Sequence, residues 1–188
     1  MRNARTMSRR SFVQGLPAAA VLAPAILASE KPLPSNRVRI GLIGCGGRGR
    51  ELLNVFRQFT DVDVPVISDV FEPRMEQAAK ILAEGDRPQK PDLVLEHERV
   101  LDRKDVDAVL IATTQHWHGI PFIQAAQAGK HIYVEKPFSH TVVEGRAMVE
   151  AARRSGVTAM MGVQQRGYSH YPKALATHKP TEHSTFTP

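Results

Sequence analysis

The stretch Ile40–Gly49, Ile-Gly-Leu-Ile-Gly-Cys-Gly-Gly-Arg-Gly, constrains this chain more than any other. An apolar run from Val38 to Ile43 has the character of a buried parallel strand. It enters Gly44-Cys45-Gly46-Gly47-Arg48-Gly49, a G-x-G-x-x-G, and a helical stretch follows with Leu52, Leu53, Val55 and Phe56 on one face. Gly44 permits the tight turn, Gly46 lets a pyrophosphate approach the backbone, and Gly49 lets the helix pack close on the strand. The helix then aims its free N–H groups and positive dipole end at the phosphates. Strand, glycine turn and helix in that order imply a dinucleotide site built by Gly44, Cys45, Gly46, Gly47, Arg48 and Gly49. The plainer alternative is a glycine-rich turn in some other α/β protein.

The rest of the chain extends this unit. Val62–Val70 is the second strand, and Pro65 favours a start at that residue. Asp69, twenty residues beyond Gly49, can accept hydrogen bonds from the adenosine ribose hydroxyls. Its charge would repel a 2′-phosphate, so NAD is favoured over NADP, with Arg48 and Arg74 as softening influences. The alternative role for Asp69 is that of a helix N-terminal acid. A helix is predicted from Pro73 to Leu82, a loop over Glu84–Pro91, a short strand at Leu93–Leu95 and a short helix at Glu96–Leu101. Ala108–Thr113 reads as a buried strand and Pro121–Ala128 as a helix closed by Gly129. His131–Val134 is a fifth strand, running into Glu135-Lys136-Pro137. Thr141-Val142-Val143-Glu144 is a capping box for a helix that turns Val143, Ala147, Met148 and Ala151 inward and ends at Gly156. Thr158–Gly162 is the sixth strand. Strands alternating with helices predict an α/β fold with a doubly wound, mostly parallel sheet.

Ligands of such sheets bind off the carboxyl ends of the strands, where Thr114-Gln115-His116-Trp117-His118 lies. His116 and His118 share a face of an extended segment, but no third ligand follows at metal-binding spacing, so no metal is implied. The three aromatic residues fit a pocket wall or a contact with the next helix. Lys136 leaves a strand on the glycine-loop side. A partly desolvated lysine there can hydrogen-bond a substrate hydroxyl and assist its deprotonation; a plain solvated lysine is the alternative.

Charge and composition narrow the field further. The net charge is +6, but Arg2, Arg5, Arg9 and Arg10 precede Ser29 with no acid among them. The basic balance therefore belongs mostly to that segment, and elsewhere the interspersed charges give no case for nucleic acid. Ser8-Arg9-Arg10-Ser11-Phe12-Val13 and the apolar run Leu16–Ala28 have the form of a twin-arginine export signal. That run is too short to span a bilayer, so membrane contact is expected only during export, with a periplasmic or secreted destination. The sole cysteine, Cys45, excludes an intrachain disulfide.

Together these motifs resemble the Gfo/Idh/MocA family of nicotinamide-dependent sugar and polyol oxidoreductases, over about Val38 to Tyr171. The resemblance rests on Gly44–Gly49, Ser68-Asp69-Val70, Ala112–His118, Glu135-Lys136-Pro137 and Gly162-Val163-Gln164-Gln165-Arg166. It implies a Rossmann domain over 36–162, with Thr113, His118, Glu135 and Lys136 bordering the cofactor and Lys136 also beside the substrate. Where the family usually has Thr-Pro and then Asn or Asp, this chain has Thr113-Thr114-Gln115. The family's second α/β domain would begin within 163–188, where the Thr- and Pro-rich end reads as disordered and the domain as truncated. The expectation is then the NAD-binding part of a sugar or polyol oxidoreductase, inactive alone and open to self-association as a homo-oligomer. A non-catalytic nucleotide-binding module is the competing class. An S-adenosylmethionine-dependent methyltransferase shares the glycine loop, but Glu135-Lys136-Pro137 argues against it.

Overall fold

The computed structural model describes residues 37–164 together with Tyr168, His170 and Lys173. The segment read as an export signal, the Gln165-Arg166 pair and the Thr/Pro-rich end lie outside the described residues. The order is β1 (Val38–Ile43), α1 (Gly47–Phe56), β2 (Val62–Ser68), α2 (Glu72–Ala83), β3 (Asp92–Val94), α3 (Glu98–Leu101), β4 (Ala108–Ile111), α4 (Gly119–Gln127), β5 (His131–Glu135), α5 (Val142–Ser155) and β6 (Ala159–Gly162). A 3₁₀ turn, Gln115–Trp117, separates β4 from α4. The six strands form one sheet in the order β3-β2-β1-β4-β5-β6. All five pairings are parallel. This is the doubly wound α/β fold, and its strand order reverses between β1 and β4.

Two apolar layers cover the sheet. On one face Ile40, Leu42, Val64, Ile67 and Leu110 pack under Leu52 and Leu53 of α1 and Met75, Ala78 and Leu82 of α2. On the other Ile43, Val109, Ile111, Ile132 and Val134 meet Val100 of α3, Phe122 of α4 and Met148 of α5. The strand alternation therefore supplies both layers at once.

Some local expectations need correction. β2 begins at Val62, ahead of Pro65. Its pairing with β1 slips between Arg39 and Gly41, so β2 carries an extra residue where Pro65 sits. A bulge is where a strand tolerates proline. Beside it, the Val64 N–H donates to Gln89 Oε1 at 2.7 Å, replacing a ladder bond. Val55 is exposed, because the buried stripe of α1 runs through Gly49, Leu52 and Leu53. Val143 and Ala147 are also exposed; the inward residues of α5 are Met148 and Ala151. In both helices the expelled residues sit about 100° off the true stripe. Thr141 caps α5 as expected, its Oγ1 accepting from the Glu144 N–H at 3.2 Å. Glu144 reaches one residue further back than a capping box requires, accepting from the His140 N–H at 2.6 Å. Gly129 and Gly156 close α4 and α5 with positive φ.

Candidate functional site

At the strand-order reversal, the carboxyl ends of β1, β2 and β4 open into a cleft of about 440 Å³. The glycine loop forms its near wall. Gly44 has φ +97°, and a Cβ there would lie 2.7 Å from the Ala112 and Thr113 backbone. Only glycine satisfies both constraints. A Cβ on Gly49 would lie 2.0 Å from the Gly44 carbonyl oxygen, so α1 leaves the loop closer than any side chain allows. At Gly46 and Gly47 an added Cβ would meet nothing within 4 Å. These two positions face the open cleft. Gly46 is the N-cap of α1 with no side-chain cap, and the first turn carries no acid. Its N–H groups are thus presented to an anion rather than to a side chain. Loop and helix end fit a dinucleotide pyrophosphate.

Asp69 lies at the next strand end and is 8% exposed. Its Oδ2 accepts from the Cys45 N–H at 2.7 Å and its Oδ1 from the Phe71 N–H at 3.0 Å. The carboxylate therefore staples the glycine loop to the β2–α2 connection while still lining the cleft. Cys45 itself is fully buried beneath the loop. Burial, then the Asp69 charge, pushes its thiol up to about 12, which leaves it an inert small side chain.

The far wall comes from β4. Ala112, Thr113, Thr114, His116 and Trp117 line it. The Thr113 Oγ1 donates to the Trp117 carbonyl at 3.1 Å, closing the 3₁₀ turn at Gln115–Trp117. His116 and Trp117 are exposed, whereas His118 is buried at 1%. His118 Nδ1 lies 2.7 Å from the Pro137 carbonyl and Nε2 lies 3.2 Å from that of Thr113. Placed so, it ties the β4 and β5 ends together from behind the cleft and does not line it.

Glu135 is likewise buried, at 3%. It faces the Arg48 guanidinium, whose Nε donates to its Oε1 at 2.8 Å. Glu135, and after it Glu51, raises Arg48 above its ordinary value. Lys136 follows at the end of β5 with an exposed side chain, and the peptide to Pro137 is cis. Arg74, Leu95 and His97 complete the cleft. No motif singles out Leu95 or His97. His97 is held by Gln124 Oε1 at 2.6 Å, a pairing across 27 residues that only the fold creates. Among the described residues no group of three or more His, Cys, Asp or Glu is arranged to hold a metal. Nor is any described helix long and apolar enough to cross a membrane.

Fold and cleft have the form of a dinucleotide-binding Rossmann domain, with the cleft at the switch point of the sheet. The model of the Gfo/Idh/MocA family, an oxidoreductase family with an NAD-binding Rossmann fold, matches residues 38–163, and the chain belongs to that family. A glycosyl hydrolase family 109 protein of Shewanella sp. (strain W3-18-1) is 33% identical over 127 residues, covering 66% of this chain and 28% of that protein. The chain thus spans about 28% of the length of the curated relatives it matches. The crystal structure of an NAD-binding protein from Listeria innocua superposes with a TM-score of 0.61 at 27% identity, over 70% of this chain and 36% of that one. The WlbA dehydrogenase from Bordetella pertussis, solved with NADH and UDP-GlcNAcA, shares the fold with a TM-score of 0.62 at 24% identity, over 72% of this chain and 37% of that one.

Proposed function

We propose that this chain is the cofactor-binding part of an NAD-dependent oxidoreductase that transfers hydride between a sugar or polyol carbinol and nicotinamide. The observation that carries the reading is the uncapped first turn of α1 behind the side-chain-free face of Gly46 and Gly47, with Asp69 on the neighbouring strand end. In this reading the N–H groups of 46–49 hold the pyrophosphate and Asp69 accepts from the adenosine ribose. NAD supplies the hydride acceptor. Lys136 Nζ holds the substrate hydroxyl and takes part in its proton transfer. Its side chain is open to solvent, so further substrate contacts come from outside residues 37–164. The 188 residues are therefore expected to bind NAD without sugar turnover.

Asp69 sets the cofactor preference. Titration calorimetry of the wild type and Asp69→Ala with NAD and NADP tests this. The wild type is predicted to prefer NAD by roughly ten- to a hundredfold, the weight of one charged hydrogen bond. The variant should lose the preference, and equal affinities in the wild type would contradict the assignment.

A second reading of the reaction follows from the relatives named glycosyl hydrolases. Oxidising a ring hydroxyl would acidify the C–H beside the new carbonyl, so the glycosidic oxygen on the next carbon could leave as the alcohol by elimination; water would then add across the resulting double bond and the hydride would return to the carbonyl, making the net reaction a hydrolysis. An aryl glycoside assay in the presence of NAD separates the two readings: phenol release without net NADH marks hydrolysis, and NADH accumulation marks dehydrogenation.

We further propose twin-arginine export, supported by Ser8–Val13 and the Leu16–Ala28 run. Replacing Arg9 and Arg10 with lysine should leave the protein in the cytoplasm. Undiminished periplasmic accumulation would contradict this.

A further inference from the structure

Glu135 is the most buried carboxylate of the described residues. A buried carboxylate is destabilising unless donors surround it. Here they come from separate segments. Oε1 accepts from Arg48 Nε at 2.8 Å, Gln164 Nε2 at 2.6 Å and the Tyr133 hydroxyl at 3.4 Å. Oε2 accepts from the Lys136 N–H at 3.2 Å. The Arg48 Nη1 donates in turn to Glu51 Oε2 at 2.8 Å, so two edges of the guanidinium are held by carboxylates.

The backbone makes room for this cluster. Gly162 of β6 lies opposite Glu135 in the sheet register. A Cβ there would lie 2.4 Å from the Tyr133 hydroxyl oxygen and 2.9 Å from both Gln164 Nε2 and Glu135 Oε1. The cluster occupies the space a side chain at 162 would take. Arg48 belongs to the first turn of α1, the turn that presents N–H groups to the cleft, whereas Glu135 immediately precedes Lys136.

We propose that Arg48 and Glu135 are positioning residues, a bridge that fixes the cofactor-binding turn against the end of β5 and so sets bound NAD in register with Lys136. This rests on NAD lying at the glycine loop. The competing role, Arg48 as a direct clamp on the pyrophosphate, predicts the opposite sign for Glu135. Neutralising Glu135 would then free the arginine and remove a negative charge, and NAD would bind more tightly.

The test uses the 188-residue chain as wild type, Glu135→Gln, Arg48→Gln, the double variant, Arg48→Lys and Gly162→Ala. NAD affinity is measured by calorimetry and stability by thermal melting. Glu135→Gln and Arg48→Gln are each expected to weaken NAD about tenfold, the scale of one charge-assisted hydrogen bond, with the double variant no weaker than either. Gly162→Ala should weaken it by displacing the cluster without changing any charge. Arg48→Lys, which keeps a cation near Glu135, should recover most of the loss. In amide NMR, NAD should shift Lys136 in the wild type, and Glu135→Gln should lose that response while keeping the response of Gly44. Tighter or unchanged binding by Glu135→Gln, additive losses in the double variant, or lower melting temperatures at unchanged affinity would overturn the proposal. Should Glu135→Gln fail to fold, Arg48→Gln and Gly162→Ala decide by the same affinity criterion. No NAD binding by the wild type would instead overturn the functional reading on which the bridge depends.

Discussion

The two ends of the sheet differ in how many polar groups they leave for a ligand. At the amino end, charged groups are matched to one another or to carbonyls. Arg39 gives Asp107 its backbone N–H at 2.9 Å, Nε at 3.1 Å and Nη2 at 2.9 Å. Arg103 pairs with Asp105 and Asp92, and Lys130 Nζ donates to the Arg103 and Val106 carbonyls at 2.6 and 2.9 Å. Arg87 and Arg37 share Asp63. At the carboxyl end, the first turn of α1 has no cap, Lys136 is exposed, and Val70 and Trp117 present apolar surface to the cleft. One end has its electrostatics closed internally. The other matches Arg48 to Glu135 and Glu51 but leaves the first-turn N–H groups of α1, Lys136 and apolar area for a ligand. Sites belong where the fold leaves such groups open.

The largest expected effect breaks the open end. Gly49→Ala forces a Cβ against the Gly44 carbonyl oxygen. We predict a loss of about 1–3 kcal/mol in urea denaturation, the range for overpacking. Calorimetry should show NAD binding reduced beyond detection, because the loop can no longer seat on α1. Near-wild-type affinity would mean that the loop geometry does not shape the site.

The next prediction concerns the closed end. Hydrogen bonds from Arg39, more than the Arg39 charge itself, hold Asp107 below the usual carboxylate range. A carboxyl group with a folded value below its unfolded value of about 3.9 adds stability above that pH. The contribution disappears as pH falls through the lowered folded value. Asp107→Asn should lose about 1 kcal/mol at neutral pH, kept small by partial exposure. The acid limb of its stability curve should be shallower than the wild type's, and NAD affinity should not move. A changed affinity would show that the two ends are coupled.

The smallest effect sharpens the open end. Trp117 is the chain's one tryptophan, so its emission reports on the cleft. It lines the same cleft as Asp69, the residue assigned to the adenosine ribose. AMP and NAD are expected to change its emission and nicotinamide mononucleotide is not. Trp117→Phe should weaken NAD by about 0.5–1.5 kcal/mol, the range for an aromatic contact. A response to the nicotinamide fragment alone would reverse the cofactor's orientation.

The same division explains what the sequence revealed. The strand, glycine turn and helix of 38–56 were legible because each signal is local: an apolar run, three glycines, then a periodic stripe. Thr141, Gly129 and Gly156 were legible for the same reason. Val143 and Ala147 misled because a helix's apolar residues near a stripe edge do not announce their register. Pro65 misled because its bulge is completed by Gln89, 25 residues from the Val64 N–H it accepts. The pairing of Arg48 with Glu135 spans 87 residues, and no spacing rule joins a glycine-loop arginine to the acid of Glu-Lys-Pro. Arg48 was read as part of the glycine loop and Glu135 from the family resemblance; the structure pairs them with each other, and Arg48 also lines the cleft. His118 was read from the same resemblance, and its two ring nitrogens face carbonyls of neighbouring strand ends.

NAD is expected to occupy the open end of the sheet and to leave the closed end untouched, and amide chemical-shift mapping of the 188-residue chain during NAD titration reads both ends at once. Saturable shifts are predicted at Gly44, Gly46, Gly47, Arg48, Asp69 and Thr113, with Asp107 and Lys130 unmoved. Shifts centred on Asp107 and Lys130, or no saturable shift anywhere, would contradict it.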